Sequence, residues 1–97
     1  MSGLNPPQSQ LDELIEYYQE GLFSQAELIA SSLTNDFPSH QLGWKVLGAI
    51  LKLTGRLEES LIAMEKAAAL HPEDAEAHSN LGVTLHELGK LVEAEES

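Results

Sequence analysis

The sequence predicts an all-α fold, a solenoid of antiparallel helix pairs stacked side by side. Three observations predict it. The chain repeats itself at one period: Gly21, Gly55 and Gly89 are spaced by 34 residues, as are Pro38 and Pro72. Apolar residues within each unit recur at helical spacing, and glycine and proline punctuate the units at fixed places.

The period is supported by more than the punctuation. A shift of 34 lays Leu47-Gly48 on Leu81-Gly82, Leu51 on Leu85, Leu57 on Leu91, Glu59 on Glu93 and Arg56 on Lys90. A fixed period of this length marks stacked units that cannot bury an apolar face alone. Trp44, Leu47, Gly48 and Leu51 fall at i, i+3, i+4 and i+7, one helix face, and His78, Leu81, Gly82 and Leu85 repeat it. In this register His78 stands at a core-type position and is expected to pack there. Gly55 and Gly89 are expected to stop helices by supplying a positive φ without a Cβ clash. A second apolar stripe follows: Leu57, Leu61, Met64, Ala67 and Ala68. Pro38 and Pro72 close the units, and Glu73 and Asp74 place negative charge at the next helix N-terminus.

Six helices are therefore expected, at about 9–20, 24–36, 40–54, 57–70, 74–88 and 91–97, after a frayed lead-in over residues 1–8 containing Pro6-Pro7.

A helix–turn–helix unit of this length resembles the tetratricopeptide repeat (TPR). Unit two carries the signature at Trp44, Leu47, Gly48, Leu51, Gly55, Ser60, Ala67 and Pro72, with Leu51 for the usual tyrosine and Ser60 for the usual alanine. Unit three matches at Leu81, Gly82, Gly89 and Ala94, with His78 in place of the aromatic. Unit one is degenerate, keeping Tyr17, Gly21, Ala26 and Pro38 but holding Gln10, Glu13 and Leu14 at the opening signature. The resemblance implies about two and a half repeats in a right-handed superhelix, with units over 9–38, 41–72 and 75–97. The third unit stops at Ser97, early in its second helix, which suggests an N-terminal piece of a longer protein. Leu81, Leu85, Leu88 and Leu91 would then lose part of their cover, and that end is expected to fray or to pair with a second copy.

Charge and composition narrow the function. Sixteen acidic residues against five basic ones leave a net charge of −11, which repels phosphate backbones and anionic membranes. No apolar run approaches the roughly 18 residues of a membrane span. Without cysteine there is no disulfide framework and no thiolate chemistry, and a cytoplasmic setting is expected. The four histidines lack metal-ligand spacing, since His78 and His86 are eight apart rather than four. Neither a Gly-x-Ser-x-Gly elbow nor a phosphate loop occurs, and Glu58-Glu59 and Glu95-Glu96 fall on expected solvated faces. A non-enzymatic module without metal or cofactor is expected.

TPR proteins present the first helix of each unit along a concave groove, and the resemblance implies the same here. Leu11, Ile15 and Tyr18 would form its wall in unit one, Lys45, Ala49 and Lys52 in unit two, and Ser79, Val83 and His86 in unit three. On a helical wheel the middle set lies within about 60°, beside the core stripe. Lys45 and Lys52 are candidate point charges for an acidic or carboxylate-bearing protein or peptide partner. Lys45 with Asn80 resembles part of the carboxylate clamp of some TPRs, but Ala49 stands where that clamp has asparagine. Asn80, in Ala-His-Ser-Asn-Leu-Gly, also occupies the position of the groove asparagines of O-GlcNAc-transferase-like TPR arms, a phrase that many bacterial TPR proteins share. Asp12 and Val46 take that place in the other units, so no asparagine ladder exists. Three functions follow as expectations: a protein–protein interaction module, a substrate-recruiting arm of a larger enzyme such as a glycosyltransferase, or a self-associating spacer.

Overall fold

A computed structural model describes residues 5–96, with side chains described for 5–90. Five helices follow one another: α1 (Gln8–Gln19), α2 (Phe23–Asp36), α3 (Gln41–Leu53), α4 (Leu57–Leu70) and α5 (Ala75–Glu96). Each packs chiefly on the next in the chain, most extensively α3 on α4. The outcome is an elongated stack of about 52 × 29 × 20 Å.

Each hairpin closes by the same chemistry one period apart. Gly21 and Gly55 adopt φ of +78° and +84°, a conformation costly for a residue with a Cβ. Leu22 N–H then bonds Tyr17 O at 2.9 Å and Gly21 N–H bonds Tyr18 O at 3.2 Å; Arg56 to Leu51 at 2.8 Å and Gly55 to Lys52 at 3.1 Å repeat both bonds. This pair of bonds is the Schellman cap, which satisfies carbonyls left over at a helix end. The loops between units also repeat: His40 N–H bonds Phe37 O and Asp74 N–H bonds His71 O, each at 3.0 Å around a proline.

Gly89 departs from this pattern. Only Gly21 and Gly55 have positive φ among the described residues, and α5 runs through Gly89 to Glu96, so the expected helices at 74–88 and 91–97 are one. A glycine inside a helix costs only about 1 kcal/mol relative to alanine. A hairpin at this point needs a returning helix whose packing outweighs the cost of closure.

The core combines alanines, chiefly on α2 and α4, with larger side chains from α1, α2, α3 and α4. Leu14, Ala26, Ala30, Leu33, Val46 and Ile50 form one buried cluster, and Leu51, Ala63, Met64, Ala67, Ala68 and Ala77 extend the core along the stack. Gly48 lets α3 and α4 approach closely, since a Cβ there would lie 2.8 Å from Met64 Cγ. Buried Ser60 donates to Gly48 O at 2.7 Å across the same contact.

Two further expectations are corrected. Pro6 is buried rather than part of a frayed lead-in, while residues 1–4 lie outside the described range. His78 is exposed, not packed in the core. Its Nε2 lies 2.7 Å from Pro72 O, which fixes it as the donor and draws the ring across the loop.

Candidate peptide groove

α1, α3 and α5, the first helix of each unit, bring residues together around a cavity of about 360 Å³. Its lining includes Ile15 and Tyr18 from α1, Lys45 and Ala49 from α3, and Asn80 from α5, half of the residues expected there. Leu11 packs instead against the core cluster. Ser79, Val83 and His86 on α5 are exposed and outside the lining, and Lys52 lies a helical turn beyond Ala49.

Gln19, Leu42, Val46 and Glu76 complete the lining and were not anticipated. The repeat register relates three of them to each other or to Asn80. Leu42 and Glu76 are one period apart, as are Val46 and Asn80, so both pairs flank the expected stripe on the same side.

Electrostatics changes the reading of the lysines. Lys45 Nζ lies 3.0 Å from Asp74 Oδ2 and 2.6 Å from Glu76 Oε1. Lys52 Nζ lies 3.4 Å from Glu87 Oε1. Neither is a free point charge: both tie α3 to α5. Hydrogen bonds from Lys45 to Glu76 first, and to Asp74 second, hold its ammonium above the usual lysine range.

Asp74 is the hub of this contact. As N-cap of α5 it accepts Ala77 N–H at 3.2 Å, and its other oxygen accepts from Gln41 Nε2 and Lys45 Nζ, each at 3.0 Å. Lys45 chiefly, then the Ala77 amide and Gln41, depress its carboxyl to about 2. Gln41 Nε2 also reaches Ala67 O at 3.1 Å, joining the N-terminus of α3 to the C-terminal turn of α4. The apolar floor therefore sits beside a preorganised ionic wall.

A second cross-unit tie lies at the α3–α4 turn. Arg56 engages Glu27 of α2 with both guanidinium nitrogens, Nη1 at 2.9 Å. The Arg56 hydrogen bond holds the Glu27 carboxyl below its usual value.

Among the described residues, no three potential metal ligands cluster and no helix is long and apolar enough to cross a membrane. The groove offers shape, apolar surface and fixed charge, the means of binding.

Comparison with known proteins agrees with the repeat architecture. A family model described as TPR repeat matches residues 48–89, from the signature glycine of α3 to Gly89. The chain is also similar to a peroxisomal targeting signal receptor of Kluyveromyces lactis, 40% identical over 60 residues. That stretch is 62% of this chain, which spans only 11% of the receptor's length. Period, architecture and the matched repeat lead to one conclusion: the fold is an all-α helical-repeat solenoid of the TPR kind.

Proposed function

We propose that this chain is a non-catalytic protein–protein interaction module that binds a peptide or protein segment in the groove between α1, α3 and α5. The observation that carries the proposal is the cavity itself. Ile15, Tyr18, Leu42, Val46 and Ala49 make an apolar floor, and Asn80 brings an amide able both to donate to and to accept from a peptide backbone. The relative is named as a receptor of a targeting signal, which fits the same reading. A cytoplasmic setting belongs to the proposal, on the cysteine-free composition. Within a longer protein the module would serve as a recruiting arm, of a glycosyltransferase in the reading suggested by Asn80. An acidic partner has lost its geometric ground, since Lys45 and Lys52 are already paired.

Selection from a displayed peptide library, followed by calorimetry on the selected peptides, tests this. The Ala49→Trp substitution fills the groove at a half-buried position and should weaken those peptides at least about tenfold. Unchanged affinity in that variant would reject the groove.

Self-association is a second reading, favoured by one specific comparison. In unit two, Leu51 is 4% exposed, and the Cβ position of Gly48 is crowded by Met64 and Ala63 of α4. One period later Leu85 is 50% exposed and Gly82 has nothing within 4 Å of that position. Sedimentation equilibrium tests it. A concentration-dependent dimer abolished by Leu85→Lys supports pairing through α5, and a monomer throughout rejects it.

A further inference from the structure

Resting on the proposed groove, we infer that its ligand is a cationic segment: an aliphatic or aromatic side chain for the cavity, flanked by lysine or arginine. The charges on its walls carry this. Along the α3–α5 wall the cations Lys45 and Lys52 face the carboxylates of Asp74, Glu76 and Glu87, leaving one negative charge in excess. The carboxylates are not equivalent. Asp74 is saturated, with both oxygens accepting hydrogen bonds from within the protein. Glu76 is 70% exposed and touches Lys45 through one oxygen, so its carboxylate stands at the cavity edge open to solvent.

An incoming carboxylate and an incoming ammonium therefore meet different obstacles. A carboxylate gains a cation only by displacing Glu76 or Asp74 from Lys45, exchanging one ion pair for another while adding negative charge. A cation can approach Glu76 without breaking any pair and joins a Lys–Glu–cation array. The rest of the molecule pushes the same way, since a net charge of −11 attracts cationic segments and repels acidic ones at long range. The apolar floor supplies affinity and Glu76 supplies the sign.

The test uses two blocked heptapeptides that share a central leucine, one flanked by lysines and the other by glutamates. Each is titrated into isotope-labelled protein at low salt while the amides of Ile15, Ala49 and Asn80 are followed. The lysine peptide should bind about fivefold or more tighter, the advantage shrinking as salt screens it. Glu76→Lys, with its fold checked by circular dichroism and Glu76→Gln measured beside it, should cancel or reverse the preference. Equal affinities, a tighter glutamate peptide, or a preference untouched by Glu76→Lys would overturn the cationic ligand while leaving the groove standing. No shift at the three amides with either peptide would overturn the groove together with it.

Discussion

Trp44 and His78, one repeat apart, make the same hydrogen bond: Nε1 of Trp44 donates to Pro38 O at 2.8 Å, and Nε2 of His78 to Pro72 O at 2.7 Å. Each ring straps the start of a first helix to the proline loop that precedes it. The aromatic of the repeat signature thus acts through a ring N–H as well as an apolar face, and a histidine at this place keeps half of the function. His78→Phe removes the donor and is expected to destabilise the fold by about 0.5–1 kcal/mol. His78→Trp keeps it and should be neutral or stabilising, by urea unfolding followed with circular dichroism. Equal losses in the two variants would contradict the strap.

The glycines separate into pairs with opposite expected responses. Gly55→Ala forces a Cβ into φ of +84° and should cost about 1 kcal/mol, although space around it is open. Gly89→Ala lies inside α5 and should instead stabilise by about 0.5–1 kcal/mol. Thermal unfolding of both variants decides whether Gly89 turns the chain or continues the helix.

A similar contrast holds at the helix contact. Gly48→Ala drives a methyl against Met64 Cγ and is expected to destabilise by about 1–3 kcal/mol. Gly82→Ala, one period later and open, should be stabilising by about 0.5–1 kcal/mol from helix propensity alone. Equal responses would mean that α5 is covered as closely as α3.

These contrasts show how much was legible in the sequence. The period, the proline loops and the cap at Gly55 were readable because local backbone chemistry dictates them. Gly89 was misread because a glycine becomes a cap only when a following helix packs back, and that depends on tertiary contact. The groove was half legible: the register of Ile15, Ala49 and Asn80 placed them on one wall. The pairing of Lys45 with Asp74 and Glu76 was not, because charge partners across stacked units depend on side-chain reach.

Asp74 makes stability depend on acid. Its folded value is depressed from the ordinary 3.8 to about 2, so its contribution is fully present above 3.8 and is lost as pH falls through about 2. Asp74→Asn should be less stable than the parent at pH 7, and the difference should shrink between pH 4 and pH 2. Chemical unfolding across that range checks the sign; a gap that widens in acid would contradict the assigned role of the N-cap hub.

The groove itself is tested most directly by isotope-filtered NOE spectroscopy on labelled protein with an unlabelled, display-selected peptide. Contacts from peptide protons to the methyl groups of Ile15, Val46 and Ala49 and to the Tyr18 ring are predicted, with Asn80 side-chain amide protons shifted on binding. Contacts to Leu81 and Leu85 in their place would locate binding on the open face of α5 and contradict the groove as the working surface.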